Sequence, residues 1–239
     1  AELVAKAHRR GFRFVQFGVD YIARTRGTST LSSPAVIVKM VGARRPVPRD
    51  PPGRPAARRG ARRRPEVNPP GPGRRLRLLI VNPHDYGLPP AVARGILRAH
   101  RDGIVTGTSV LAIAPGFRAS APALRDTPGI GVGAHLAVVG EDPPLLSARE
   151  VPTLVDEKGR LATSWRQFVP RMAAGRFDVE DLRREFAAQI SSAQEAGLTL
   201  GHVDTHQHLH LWPKVGAVVM DVAESAGITA LRIVRSTSR

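Results

Sequence analysis

The chain contains no cysteine among its 239 residues. Disulfides, thiolate zinc sites and cysteine nucleophiles are therefore excluded. Any metal ion must be bound by histidine, aspartate or glutamate, and these ligands favour Mg, Mn, Zn or Co over iron–sulfur chemistry. The chain also lacks a run of 18 apolar residues and a signal-peptide pattern at its start, so we expect a cytoplasmic protein with no transmembrane segment.

Acidic residues are scarce, with 20 against 36 lysines and arginines, and the net charge is +16. Residues 44–75 hold eleven arginines, one aspartate and one glutamate, a local net charge of +9. This segment also holds nine of the 21 prolines and almost no large apolar residue. It cannot bury enough surface to offset chain entropy, so we predict a disordered linker.

Two interpretations of the linker at residues 44–75 stay open. The arginines could form a polyanion-binding arm. They could equally belong to a plain Arg/Pro-rich spacer, which we favour. The segment has no aromatic side chain for base stacking, so we expect no specific nucleic-acid partner.

After the linker, apolar strands alternate with amphipathic helices. Strands are predicted at residues 76–81, 108–114, 130–138, 202–206 and 230–234, and helices at 89–103, 178–197 and 213–227. Glycine or proline stands at most helix boundaries, as expected for starts and stops. The alternation predicts a parallel α/β architecture.

Four of the eight histidines lie in the nine residues from His202 to His210. If this stretch is extended, its period of two places all four imidazoles and Asp204 on one face. Such a polar face is costly in a core unless a partner satisfies it, and a metal ion can do so. The alternative is a solvated, histidine-rich loop.

Two further polar clusters follow predicted strands. One is residues 82–87 (Asn-Pro-His-Asp-Tyr-Gly), and the other is residues 133–136 (Gly-Ala-His-Leu). In a parallel α/β barrel, ligands bind at the carboxyl ends of the strands. Three clusters converging there favour a metal or ligand site more strongly than any one of them.

These motifs, in this order and spacing, resemble those of the YdjC-like carbohydrate deacetylases. The resemblance rests on residues 79–88, 99–109, 131–136 and 202–210, covers about residues 76–239, and is strongest to the hopanoid-biosynthesis-associated branch. It implies an incomplete (β/α) barrel-like domain. It also implies a hydrolase of amide C–N bonds that removes acetyl groups from N-acetylated amino sugars or sugar-lipids with a divalent ion, Mg or Zn, Mn or Co.

The resemblance also implies roles for individual residues. The metal ligands are Asp85, His135 and His206, with Asp204 orienting a ligating imidazole; His208 and His210 are acid or substrate contacts, and Tyr86 is a substrate contact. The ion would polarise the acetamide carbonyl, a base would assist attack by water, and an acid would protonate the leaving amine.

His84 departs from the family pattern, which has an aspartate general base at this position. Imidazole is a competent base near neutral pH, but it is bulkier and its cation is disfavoured beside a divalent ion. Activity could be retained, altered or lost, so a degenerate relative that only binds metal or sugar is the alternative to an enzyme.

The amino-terminal residues 1–43 resemble the carboxyl-terminal end of a family 2 glycosyltransferase, through residues 2–40, without that family's nucleotide-sugar site. They form a short α/β remnant with a strand predicted at residues 12–22. The deacetylase-like part, residues 76–239, stops before the family's remaining β/α units, which would leave strand edges open. We therefore expect a fragment, a fusion or a misjoined reading frame of poor solubility. A homodimer is one open possibility for its assembly.

Overall fold

A computed structural model describes residues 13–15 and 80–232 of the chain. The described residues fall in one compact unit. The predicted linker and most of the glycosyltransferase-like segment lie outside them. The domain boundaries at residues 43 and 75 therefore stay predictions.

Five parallel strands form one sheet in the order β1-β5-β4-β3-β2. They are β1 (Arg13–Val15), β2 (Gly107–Val110), β3 (Gly131–Leu136), β4 (Leu200–Thr205) and β5 (Ala230–Arg232). The helices are α1 (Pro90–Asp102), α2 (Phe117–Arg125), α3 (Trp165–Ala173), α4 (Val179–Glu195) and α5 (Pro213–Ser225). The predicted parallel α/β architecture is confirmed.

The helices predicted from the sequence are present, and they begin and end near the predicted start and stop residues. α1 begins with a proline in its first turn and buries Ile96 and Leu97. Asp178 precedes α4, and its side chain accepts a hydrogen bond from the backbone N–H of Glu180. α2 and α3 were not predicted. Each is nine residues long with an internal proline, Pro122 or Pro170, and interior proline opposes the helical pattern.

Two of the predicted strands, at residues 108–114 and 130–138, are shorter in the structure. The strand expected at residues 108–114 ends at Val110, and a buried turn follows. Of the strand expected at residues 76–81, Ile80 and Val81 are described. They lie outside any strand, although the Val81 carbonyl accepts hydrogen bonds from the backbone of Thr106 and Gly107.

The histidine-rich stretch is not extended throughout, so the expectation of a single polar face is wrong beyond Thr205. β4 ends there, and a 3-10 turn, residues His206–Leu211, follows. Inside it, Gln207 and His208 have φ values of 53° and 56°. This left-handed geometry sends successive side chains in different directions.

The amino-terminal segment contributes the edge strand of the sheet. β1 pairs with β5 in parallel, with Phe14 opposite Leu231. The sequence predicted a free strand edge at the end of the deacetylase-like part. The edge of β5 is instead covered by a strand from residues assigned to the glycosyltransferase-like segment.

A long loop after β3 is fastened to α4 by buried polar side chains. Glu185, fully buried, accepts hydrogen bonds from the backbone N–H groups of Leu145 and Leu146 at 2.9 and 3.0 Å. Gln189 bonds both the N–H and the carbonyl of Ala137. The loop is thereby held above the carboxyl end of β3. Among the described helices, none is long and apolar enough to cross a membrane.

Candidate metal centre

Three side chains converge at the carboxyl edge of the sheet. Asp85 lies in the segment beside β2, His135 is on β3, and His206 is the first residue after β4. His135 Nε2 lies 3.2 Å from His206 Nδ1 and 3.4 Å from Asp85 Oδ1, and His206 Nδ1 lies 3.7 Å from the same oxygen. The structure therefore brings together the three residues that the family resemblance implies as metal ligands.

The donor set fits a divalent cation. When ligand atoms lie about 2.1 Å from a shared ion in roughly tetrahedral directions, the distances between them are similar to the three distances found here. Asp85 Oδ1 is buried and has no hydrogen-bond partner among the described residues, so it holds a free acceptor inside the cluster. Burial alone would raise the pKa of Asp85, but the nearby His206 imidazole, 3.7 Å away, and the charge of His135 lower it to about 2. The group is thus an anionic ligand at neutral pH.

Asp85 has a left-handed backbone, with φ at 63°. This backbone conformation is strained for a residue other than glycine, and such strain is found most often at functional sites. The following Tyr86 donates its backbone N–H to the Ser109 carbonyl, which anchors the turn to β2 at 3.1 Å. The turn thereby points the Asp85 carboxylate at the two imidazoles.

Asp204 on β4 holds His135 in place. Its Oδ1 lies 2.7 Å from His135 Nδ1, and the carboxylate is fully buried. Burial opposes the charge on Asp204, but the His135 charge and hydrogen bond keep its pKa well below the ordinary value. A carboxylate on Nδ1 fixes the proton there and leaves Nε2 free to bind a metal. This is the contact that the predicted orienting role requires.

His84 is held between two charged partners. Its Nδ1 lies 3.1 Å from Asp204 Oδ2, and its Nε2 receives a short hydrogen bond from Arg232 Nη1. Arg232 also lies 3.4 Å from Asp204 Oδ2. Both ring nitrogens of His84 therefore lie against a charged side chain, although Nδ1 forms no hydrogen bond among the described residues. The sequence analysis missed Arg232; the signal was an arginine in the middle of the apolar run at residues 230–234.

His202 does not join the metal centre. Its Nε2 bonds Ser109 Oγ at 3.0 Å, and Asn82 donates to the same hydroxyl at 2.9 Å. The ring lies against Gly133, where a Cβ atom would come 2.2 Å from His202 Nε2. Glycine is required at this position because any side chain would collide with the imidazole.

The other predicted site residues divide between surface and core. His208 is exposed and borders a pocket that is also lined by Gln207, the second residue of the 3-10 turn. His210 is fully buried, and its Nδ1 lies 2.7 Å from Thr205 Oγ1. Tyr86 is also fully buried and donates its hydroxyl to the Ser120 carbonyl. The structure thus gives His210 and Tyr86 packing positions in the core and does not bring them to an open surface.

Asp142, in the loop after β3, is a further carboxylate near the site that the sequence analysis missed. Burial raises the pKa of Asp142, and repulsion from Glu141 raises it further. The charge of His206 partly offsets these two effects. The Asp85 carboxylate adds a smaller repulsion to the same shift. No spacing pattern in the sequence singles this residue out, because the loop geometry places it.

Comparison with known proteins gives a family and several relatives. The family described as YdjC-like protein matches residues 78–239. A carbohydrate deacetylase of Brevibacillus brevis is 33% identical over 146 residues, which cover 61% of this chain and 55% of the relative. Carbohydrate deacetylase 1 of Listeria innocua is 34% identical over 154 residues, which cover 64% and 60%.

A solved structure from Enterococcus faecalis, named for a proposed role in cellobiose-phosphate cleavage, has 30% sequence identity and a TM-score of 0.56. The alignment covers 67% of this chain and 59% of that one. The chain thus spans little more than half the length of the relatives it matches. The hopanoid-associated branch and the glycosyltransferase resemblance stay predictions.

Proposed function

The chain belongs to the YdjC-like protein family, and we propose that it hydrolyses the acetamide of an N-acetylated amino sugar or sugar-lipid with the help of a divalent cation. The observation that carries the proposal is the convergence of Asp85, His135 and His206, with mutual separations of 3.2–3.7 Å, at the carboxyl edge of the sheet. One carboxylate and two imidazoles leave positions for water and substrate, as a catalytic site needs.

Asp85, His135 and His206 would hold the ion, which when bound supplies a Lewis acid for the acetamide carbonyl. Asp204 keeps the His135 ring oriented through the 2.7 Å contact at Nδ1. The reaction breaks the C–N bond with water as the nucleophile. Acetate and a free amine leave, so one proton must depart from the water and one must reach the nitrogen.

His84 and His208 are the proposed proton carriers. His84 occupies the position of the family's base, and it can accept a proton at Nε2 only when Arg232 releases that nitrogen. His208 is the better placed of the two candidate acids because it is exposed, whereas His210 is enclosed in the core. Substrate contact at Tyr86 would need the core around it to open, so we give that residue no part in the reaction.

Acetate release from N-acetylglucosaminyl substrates, with Mg, Mn, Zn or Co supplied, tests the proposal. We expect turnover that disappears on chelation and falls at least about 100-fold in Asp85→Asn, because even the loss of a partner that only orients a ligand typically costs about 10–100-fold. Asp102→Asn, an exposed carboxylate on α1, is the matched control. A well-folded chain that binds metal and releases no acetate would overturn the enzymatic proposal.

The second candidate function is a non-catalytic relative that binds metal or sugar. It is favoured by one observation: His84 lies between two charged side chains, with Arg232 bonded to Nε2 and Asp204 3.1 Å from Nδ1. His84→Asp separates the candidates. A large gain in acetate release would show that His84 impairs the base, whereas an unchanged or lower rate would support His84 as a working part of the site.

A further inference from the structure

Ser109, Gly133 and His202 lie side by side on three neighbouring strands. In the register of the sheet, Ser109 on β2 pairs with Gly133 on β3, and Gly133 pairs with His202 on β4. Two residues further along, His135 pairs with Asp204. Side chains alternate along a strand, so both rows point to the same face of the sheet. The row from Ser109 to His202 is therefore the layer next to the metal centre.

His202 forms a hydrogen bond with a strand that is not its neighbour. Two strands separated by one intervening strand lie about 9.6 Å apart, yet His202 Nε2 lies 3.0 Å from Ser109 Oγ. The imidazole crosses β3 at Gly133, where a Cβ atom would come 2.2 Å from Nε2. Because Gly133 has no side chain, one hydrogen bond can join β2 directly to β4.

Ser109 also holds the turn that carries Asp85. Its backbone N–H donates to the Pro83 carbonyl at 3.2 Å, and its own carbonyl accepts from the Tyr86 N–H at 3.1 Å. Asp85 lies between these two bonded residues. Ser109 is thus bonded to the turn through its backbone and to β4 through its hydroxyl.

We propose that Ser109 and His202 are positioning residues of the metal centre, and that their hydrogen bond sets the distance between the Asp85 turn and β4. β4 carries Asp204 and leads directly into the candidate ligand His206. These roles rest on the proposed function, because they concern the same ion. They add that its affinity depends on a bond in which no candidate ligand takes part.

The hydrogen bonds of this layer run in one direction. Asn82 Nδ2 donates to Ser109 Oγ at 2.9 Å, so the hydroxyl proton is left to donate to His202 Nε2. Burial lowers the pKa of His202, so the imidazole is neutral at neutral pH and Nε2 can accept. Asn82 directly precedes the Asp85 turn. The bonds therefore begin and end on segments that carry candidate ligands.

Close packing restrains the His202 ring on only part of its surface. An open cavity of about 210 Å³ borders His202, Asn82 and Arg232, and the rest of its lining is mostly apolar. A side chain that faces empty space lacks contacts on that side. The bond to Ser109 therefore restrains a ring that packing leaves partly free.

Binding of cobalt alone to the full chain tests these roles, because the visible absorption of Co²⁺ reports the geometry of its ligands. Ser109→Ala and His202→Ala should each weaken cobalt binding about tenfold and alter the absorption spectrum. The loss of a partner that directly orients a ligand typically costs about 10–100-fold in metal affinity, and this bond acts one layer further away. Ser109→Ala removes a single oxygen atom, so it carries the test if His202→Ala does not fold.

Two further variants separate the hydrogen bond from the residues that form it. His202→Gln, whose amide can occupy the position of Nε2, should restore most of the cobalt affinity. The double Ala variant should bind cobalt no more weakly than either single variant, because both changes remove the same bond.

Gly133→Ala tests the crossing point with both bonded residues unchanged. Its Cβ would displace the imidazole from Ser109, so the loss of cobalt affinity should match that of His202→Ala. In the His202→Ala background no ring is left to displace, and Gly133→Ala should then weaken binding no further.

Leu124→Ala, at a buried position on α2, is the control for stability. It should lower the melting temperature and leave the cobalt affinity and spectrum unchanged. If folded Ser109→Ala has only a lower melting temperature, with its cobalt affinity and spectrum unchanged, the bond only stabilises the fold and the proposal is overturned. An equal loss of affinity in Leu124→Ala, or no cobalt binding by the unmodified chain, would also overturn it.

Acetate release is followed in parallel with cobalt binding, so the proposed function and the positioning roles can fail separately. Cobalt binding that weakens in Ser109→Ala, without acetate release by the unmodified chain, would contradict the proposed function and support the positioning roles. Acetate release by a chain whose cobalt binding is unchanged in Ser109→Ala and His202→Ala would support the function and refute the positioning roles.

Discussion

At the scale of single residues, the same side-chain chemistry takes different roles according to burial. His208 and His210 are two residues apart in one turn, yet one is exposed and the other fully buried against Thr205. Burial lowers the pKa of His210 from 6.5 to about 4, so this imidazole is neutral in the folded protein at neutral pH. Because the His210 imidazole is buried in the core, its protonation is unfavourable.

His210 should therefore make stability depend on pH. Above pH 6.5 neither the folded nor the unfolded protein protonates it, and its effect is absent. As the pH falls from 6.5 towards 4, only the unfolded state gains the proton, so unfolding becomes easier. Between pH 7 and pH 5 the loss is about 2 kcal/mol from this group.

Urea unfolding of the chain and of His210→Gln at both pH values measures this effect. Between pH 7 and pH 5, the free energy of unfolding should fall by about 2 kcal/mol less in the variant than in the unmodified chain. The contributions of other groups cancel in this comparison. An identical loss in both proteins would show that His210 is already protonated, or is exposed, in the folded state.

At the scale of elements, α4 acts as the support for the loop after β3. Three of its polar side chains, Asp181, Glu185 and Gln189, face that loop from buried positions. Their spacing of four residues places them on one side of the helix. Ordinary amphipathic analysis counts them as solvent-facing, although they satisfy backbone groups that no strand or helix pairs.

Glu185→Ala should destabilise the protein by about 3 kcal/mol, because two backbone N–H groups of the loop lose a charged acceptor, and a hydrogen bond to a charged group contributes about 1.5–3 kcal/mol. Glu185→Gln retains one acceptor oxygen and should cost less. Glu195→Ala, at an exposed position at the end of the same helix, is the control and should change stability little. Chemical denaturation measures all three. A small effect of Glu185→Ala would mean that water or the loop itself replaces the carboxylate.

At the scale of the whole molecule, the metal centre joins separate parts of the sheet. Its candidate ligands come from the segment beside β2, from β3 and from the end of β4, and β5 adds Arg232. An ion bound to these elements is bound only in the folded state. It should therefore stabilise the chain by mass action.

With free Zn or Mn at about 100 times its dissociation constant, stabilisation is about 2.7 kcal/mol, or roughly 5–10 °C in the melting temperature. Asp85→Asn should lose most of this rise, and Asp102→Asn should retain it. Thermal unfolding with and without chelator measures the difference. A melting temperature that does not change when metal is added would show that no metal site forms. It would favour the sequence-based expectation that further barrel strands are needed to form the site.

The sequence by itself determined the parallel α/β class and the helices α1, α4 and α5, which rest on local signals such as periodicity and helix caps. The three candidate ligands were implied by the family resemblance, and their binding of an ion stays a prediction. The sequence did not determine the 3-10 turn at His206, because the left-handed backbone of Gln207 and His208 depends on contacts with distant residues.

Only the tertiary structure decided the surroundings of the site. Arg232 meets His84 across 148 positions of the chain, and Asp142 arrives from the loop after β3. β1 pairs with β5 although more than 200 residues separate them. Such contacts produce no periodic pattern in the sequence. They are set by how whole strands and helices pack, and the residues adjacent in the chain do not determine them.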